Sequence, residues 1–297
     1  MSKIYVVGSI NMDLIINTDV VPEAGMTVTG YGFMTNPGGK GANQAVAVAK
    51  CDGNVQMVGA VGNAFGRELI DTLKGYGVDT ANVHPFEEVS SGIAVITVSD
   101  GENRIILDRG ANGLVSAEMA EKALADAREG DWLILQLEIP VETVLAALQI
   151  GRAKNMHTIL NPAPACQLPD EIWQLADYFI PNQTETAFYT GIYPDTVEKA
   201  QQAAASLMEK GVGQVIITMG SQGALSVSAE NTVAAPACRV EAIDTTAAGD
   251  TFVGALVTRL SEGATIQEAM TFANKASAIT VTRRGAQQAI PTRKEIG

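Results

Sequence analysis

The sequence predicts an α/β fold: a central, mostly parallel sheet flanked by helices, with a small antiparallel flap attached. Three observations predict it. Short β-branched runs alternate with Ala-rich segments of helical period, the pattern of βαβ units. Two extended segments, about 14–35 and 91–108, interrupt that alternation. The 297 residues are 46% hydrophobic and 18% charged, enough to bury a large core and too apolar for disorder.

The strands fall at KIYVVG (3–8), VQMVGAVG (55–62), DWLILQLE (131–138), HTILNP (157–162), DYFIPN (177–182) and QVIITMG (214–220). The helices fall at GANQAVAVAK, AEMAEKALADAR, VETVLAALQIGRAK and VEKAQQAAASLMEKG. SGIAVITVSDGENRIILD reads as a hairpin turning at Asp100-Gly101. No repeat, low-complexity tract or linker divides the chain, so residues 1–297 read as one domain. In such a fold, ligands gather at the carboxyl ends of the strands.

The net charge of −13 argues against nucleic acid and anionic membrane as partners, since their phosphates would be repelled. A small anion in a locally positive pocket remains allowed. Cys51, Cys166 and Cys238 form no CxxC pair and are read as buried, reduced thiols. MSKIYVVGSINMD lacks the pattern of a signal peptide, and no window reaches the ~18 apolar residues of a membrane span. A soluble cytoplasmic protein is expected.

Five stretches could carry chemistry. In DTTAAGDTFVGAL (244–256), Ala247, Ala248 and Gly249 have almost no side chain. If a helix begins at Gly249 or Asp250, their N–H groups are unpaired donors at the positive end of the helix dipole, a ready anion hole. Asp250 then sits where a carboxylate could take a proton from an attacking nucleophile; an N-cap is its plainer reading. NPGGKGANQAVAVAK (36–50) is no P-loop, because Gly41 rather than Ser or Thr follows Lys40. The two glycines before Lys40, Gly39 among them, either let backbone and ligand meet closely or form a turn before a core helix, and Asn43 lies one helical turn beyond.

Asn11 and Asp13 point the same way in an extended chain and offer the donor, acceptor and charge that a polyol requires. Turn chemistry is their alternative. Glu138 ends a strand, at the edge of a site or simply in solvent. In PNQTETA (181–187), Asn182 and Glu185 share a helix face. They could hold a hydrated magnesium ion near phosphates or form a capping box. ITMGSQGA (217–224) is a strand entering a turn over which a nucleotide could lie. His84 and His157 suggest neither a triad nor a metal site.

Taken in order, GSINMD, GGKGANQA, QLEIP, LNPAPA, PNQTE, ITMGSQGA, DTTAAGDTF and VTRRGAQ resemble the ribokinase-like, or PfkB, family of carbohydrate kinases across nearly the whole chain. The resemblance implies an α/β body with a β-sheet lid formed by about 14–35 and 91–108. It implies transfer of the ATP γ-phosphate to a sugar hydroxyl, with D-ribose the leading acceptor. Kinases of 2-deoxyribose, fructose, 2-keto-3-deoxygluconate or a nucleoside are the alternatives. A sugar- or nucleotide-binding protein without catalysis is a rival, disfavoured by the intact Asp250 and AAG; a dehydrogenase is disfavoured by the missing G-x-G-x-x-G.

Matched by motif, the resemblance makes Asp250 the catalytic base and Ala247, Ala248 and Gly249 the anion hole. It puts Asn11, Asp13, Gly39, Lys40, Asn43 and Glu138 on the sugar. It puts Asn182, Thr218, Gly220, Ser221, Gly223, Gly249 and Asn274 on ATP, and links Glu185 to magnesium through water. Asp244, Thr246, Thr280, Arg283, Gly285 and Ala289 fall on positions for a monovalent cation, potassium. Ser is common in the family where Ala289 stands, and Pro where Gln288 stands, which could alter that site. Asp108 and Arg109 add charge to the lid that ribose would not call for. The chain stops at TRKEIG, short of the family's last helix, which leaves open whether the C-terminus is truncated. An unpaired lid edge could join a second lid, so a homodimer is expected.

Overall fold

The computed structural model describes residues 2–100 and 102–297. β1 (Ile4–Val7) leads through Ser9 into β2 (Asn11–Asn17), and β3 (Tyr31–Gly38) runs straight into α1 (Lys40–Lys50). Then come β4 (Val55–Gly62), α2 (Gly66–Gly75), β5 (Asp79–Phe86), β6 (Gly92–Ser99), β7 (Glu102–Asp108) and α3 (Ala117–Ala123). β8 (Trp132–Leu135), α4 (Val141–Ala153), β9 (His157–Leu160), β10 (Tyr178–Phe179), α5 (Gln183–Thr190) and α6 (Val197–Glu209) follow. The chain closes with β11 (Gln214–Thr218), β12 (Ala224–Ser228), β13 (Thr232–Ala235), α7 (Ala248–Ser261) and α8 (Ile266–Val281).

Nine strands form the main sheet, in the order β13-β12-β11-β10-β9-β8-β1-β4-β5. It is parallel from β11 to β5 and ends in the antiparallel pair β12 and β13. The six expected strands are present. β5, β12 and β13 were not expected, because their shorter or polar-broken runs carry a weak strand signal. α3 is shorter than AEMAEKALADAR suggested, and β8 stops at Leu135, freeing Gln136 to Glu138 from the sheet.

β1, β4 and β8 are buried on both faces, as a parallel sheet covered by helices requires. One core layer packs residues such as Val46, Ala47, Leu256 and Met270 from α1, α7 and α8. The opposite layer packs Ala120, Leu148 and Ala203 from α3, α4 and α6. The strand order reverses at β1, whose neighbours are β4 and β8. That reversal opens a crevice at the carboxyl end of β1, where Asn11 follows.

The lid is a four-stranded sheet of order β3-β2-β6-β7. It begins at Asn11 rather than 14, and residues 18–30 contribute no strand. It is also mixed rather than antiparallel: β2 pairs with β6 in parallel, starting at Asn11 opposite Gly92. The reason is geometric, since both strands leave the same end of the main sheet and run outward together. The hairpin between β6 and β7 is present; Gly101 at its turn lies outside the described residues.

Two further expectations need correction. Only Cys51 is buried; Cys166 is half-buried and Cys238 is exposed. α7 begins at Ala248, one residue earlier than the earlier of the two expected starts. Among the described residues, no helix is long and apolar enough to cross a membrane.

Candidate active site

The turn from β1 to β2 places Asn11 and Asp13 at the root of the lid, both buried. Glu138 arrives from the segment freed after β8. Its Oε2 accepts from Ser9 Oγ at 2.6 Å, Asn11 Nδ2 at 3.3 Å and the Lys40 backbone N–H at 3.3 Å. Asn112 holds the other side of Asn11, donating to its Oδ1 at 2.6 Å. Asn112 is itself fixed by both backbone groups of Ile10.

The glycines before α1 serve the protein's own backbone. Gly39 has φ 89°, and a Cβ there would lie 2.7 Å from the Asn11 backbone nitrogen. A Cβ on Gly41 would lie 2.6 Å from that of Ser9. Their small size lets the start of α1 press onto the β1–β2 turn. This contact delivers Lys40 and Asn43 to the crevice.

Asp250 is not a cap. It lies in the first turn of α7, but the N-cap is Ala247 and no side chain caps the helix. Asp250 Oδ2 accepts from Asn43 Nδ2 and Oδ1 from Gln44 Nε2, both at 3.0 Å. Among the described residues, the buried Asn43 Oδ1 has no hydrogen-bond partner. Ala247 has φ 59°, a left-handed conformation that turns successive N–H groups towards one side. The Ala248 N–H, expected to be unpaired, makes a long 3.3 Å contact with Thr245 O. A Cβ on Gly249 would meet nothing within 4 Å, so the helix start is open to a ligand.

Lys40, Asn161, Asn182, Glu185, Thr218, Ala247, Ala248, Gly249 and Asp250 line one cavity of about 190 Å³. Asn182 and Glu185 do form the capping box of α5. The cap engages Glu185 Oε2 and still leaves the buried carboxylate at the cavity wall. A larger hollow of about 410 Å³, beside Arg259, Lys275 and Arg293, contains none of the expected site residues.

The electrostatics centre on Lys40. Burial opposes its charge, but Asp250, Glu138, Glu185 and Asp13 outweigh that, and its pKa ends above the ordinary value. Burial, reinforced by Glu138 and Asp250 and opposed by Lys40, pushes Asp13 up to about 7. Burial also raises Asp250, against Lys40, Asn43 and Gln44. Glu185 is raised by burial, against the Asn182 backbone hydrogen bond and Lys40. A single cation thus stands among four acids, which suits a site that receives further positive charge with its ligand.

The remaining expected residues are less convergent. Gly220 and Ser221 form an exposed turn outside the cavity. Gly223 and Asn274 meet instead at the 235–236 backbone. A Cβ on Gly223 would lie 2.1 Å from Ala235 O, and Asn274 Nδ2 donates to Ala235 O at 2.9 Å. Asp244 clasps two loops, accepting from Thr246 Oγ1 at 2.6 Å and the Gly285 N–H at 2.9 Å. Thr280 donates its hydroxyl to Thr251, the Arg283 side chain pairs with Glu295, and Ala289 is buried. On the lid, Asp108 accepts from its own Gly110 N–H at 3.0 Å, and Arg109 is exposed.

Sequence reasoning missed Ser9, Gln44, Asn112, Gln136 and Asn161. Gln136 did carry a signal, as a lone amide inside the apolar run LILQLE; Gln44, beside Asn43, was hidden within GANQA. Asn112 carried none.

Fold and site together define an α/β small-molecule kinase. The model of the pfkB family carbohydrate kinases matches residues 1–293. A ribokinase of Schizosaccharomyces pombe is 44% identical over 308 residues, covering 100% of this chain and 97% of its own. A deoxyribokinase of Salmonella typhi is 38% identical over 292 residues, covering 97% and 95%. The structure of Arabidopsis thaliana ribokinase complexed with ribose and ATP superposes with a TM-score of 0.91 at 30% identity, covering 99% and 97%. The chain belongs to the pfkB family of carbohydrate kinases.

Proposed function

We propose that this kinase transfers the γ-phosphoryl group of ATP to a hydroxyl of D-ribose, with Asp250 as the base. The observation that carries this reading is the Asp250 carboxylate, buried beside an open helix start and held by two amides in place of a cap. Asp250 takes the hydroxyl proton as that oxygen bonds to the γ-phosphorus. The bond from the γ-phosphorus to the bridging oxygen breaks, and ADP leaves. The first-turn N–H groups at Ala247 to Gly249 and the Lys40 ammonium receive the phosphate charge. Asn11, Asp13, Asn43 and Glu138 hold the sugar hydroxyls. Asn182 and Thr218, paired across a β-bridge, face the nucleotide, which extends over Gly220, Ser221, Gly223 and Asn274.

Magnesium fits as a hydrated ion brought by the ATP phosphates, with Glu185 as an outer partner. Consistent with that, no group of three or more His, Cys, Asp or Glu among the described residues could hold a bare ion. Potassium fits the oxygen-rich loops that Asp244 clasps together. A homodimer through the lid is supported by its exposed Tyr31, Phe33, Ile105 and Ile106. A cytoplasmic location accords with the exposed thiol of Cys238.

The deoxyribokinase relative favours one second reading, 2-deoxyribose as the acceptor. ADP release with ribose, 2-deoxyribose, fructose and 2-keto-3-deoxygluconate separates the two. Ribose is expected to give the highest kcat/KM of the four. Asp108, bonded to its own turn, gives no support to an acidic sugar.

A further inference from the structure

We propose that Gln44 and Gln136 form a positioning pair that aims the Asp250 carboxylate at its substrate hydroxyl. The proposal rests on the reading of Asp250 as the base. Neither amide lines the cavity, and both are fully buried. An aspartate in the first turn of a helix ordinarily folds back on nearby backbone N–H groups. Asp250 is drawn away from them by two amides of α1. One, Asn43, keeps a second polar atom, Oδ1, without a partner among the described residues. Gln44 has none.

Both Nε2 hydrogens and the Oε1 of the Gln44 side chain are engaged within the protein. Its Nε2 donates to Asp250 Oδ1 and to Asn161 Oδ1, both at 3.0 Å. Its Oε1 accepts from Gln136 Nε2 at 2.7 Å. Asn161 is tied in turn to Ile180 O at 2.8 Å. The Gln136 bond fixes which end of the Gln44 amide faces the acid. Reversed, that amide would put its oxygen against a carboxylate and its nitrogen against another donor.

Gln136 belongs to the segment freed from β8, and the backbone of Gly8 leaves it room: a Cβ on Gly8 would lie 1.9 Å from its Oε1. The carboxylate plane of Asp250 is therefore set from β8 through α1, independently of sugar and ATP. Catalytic groups need to be held within about 0.5 Å of the productive geometry, and a misplacement of about 1 Å can cost 10²-fold in rate.

The test uses Gln44→Met, Gln136→Met and the double variant in the full chain, with kcat and both KM values measured against magnesium-ATP and ribose. Gln44→Met should lower kcat about 10- to 100-fold while both KM values stay within about threefold. Gln136→Met should show the same split with a smaller loss. The double variant should be no slower than Gln44→Met, because Gln136 acts only through Gln44. Additive losses, or a raised KM with unchanged kcat, overturn the pair. If Gln44→Met does not fold, Gln136→Met decides, and full kcat there overturns it. Asp250→Asn separates the two layers: normal turnover in that variant defeats the base itself. An inactive Asp250→Asn beside a fully active Gln44→Met defeats only the positioning pair.

Discussion

One wall of the proposed site, Asn11, Asp13, Asn43 and Glu138, is buried, whereas the other, Asn182, Gly220, Ser221 and Gly249, is exposed. On the buried wall, Asn11 and Glu138 are held before any ligand arrives, through Ser9, Asn112 and the Lys40 N–H. The exposed wall offers backbone N–H groups and turns that a flexible, charged ligand can settle onto. The contrast teaches how one site can be strict towards one substrate and accommodating towards another. Buried polar groups left unpaired by a wrong ligand are costly, and discrimination built that way can reach about 10⁴–10⁵. Exposed donors give back their water at little cost, so they bind without selecting.

The comparison breaks first at Asp250, where the two walls meet. Asp250→Asn keeps size and shape but removes the proposed base, and general-base loss costs about 10²–10⁴ in rate. We expect kcat to collapse while calorimetry finds ATP binding nearly unchanged. Near-normal turnover would return Asp250 to a structural role.

The next largest effect is expected on the buried wall. Asp13→Ala should raise the sugar KM strongly and leave the ATP KM almost unchanged; equal shifts in both would erase the contrast. Asp13 also gives the wall a pH dependence. With its carboxyl pushed up to about 7, chiefly by burial, the free protein holds it protonated below that pH. The kcat/KM for the sugar should therefore fall as pH drops below about 7, and Asp13→Asn should flatten that limb.

The same group carries a stability signature of known sign. Its folded pKa lies above the ordinary carboxylate value, so ionisation opposes folding and stability is lost as pH rises from about 4 through about 7. Asp13→Asn should then melt higher than the native protein at pH 8 while working worse. A lower melting temperature would mean the charge is compensated in the free protein.

The smallest effect concerns the loops clasped by Asp244. Potassium should activate more than sodium, by less than in a relative with Ser at the position of Ala289. Equal rates in potassium-free buffer would show that these loops hold no functional cation.

Periodicity made the body of the fold legible, because buried parallel strands and Ala-rich helices leave strong, opposite signatures. The lid was legible only as an interruption. Its central pairing, β2 beside β6, depends on where two distant segments leave the main sheet, and no local pattern encodes that. At the site, residues in glycine-flanked or acidic motifs could be found. Asn112 could not, because its role comes from meeting Ile10 and Asn11 about a hundred positions away in sequence. The glycines of GGKG were legible as needed, and Gly39 and Gly41 press against the chain itself.

The short segment from Gln136 to Glu138 reaches both ends of the chemistry: Gln136 towards Asp250 through Gln44, Glu138 towards Asn11 and Lys40. On the proposed roles of Asp250 and Asn11, choice of sugar and speed of transfer are mechanically yoked. A laboratory effort to retarget this protein to a new sugar by remodelling that segment will disturb turnover in the same stroke. The freer route runs through the root of the lid, where Asn11 and Asp13 can be varied with Gln136 untouched.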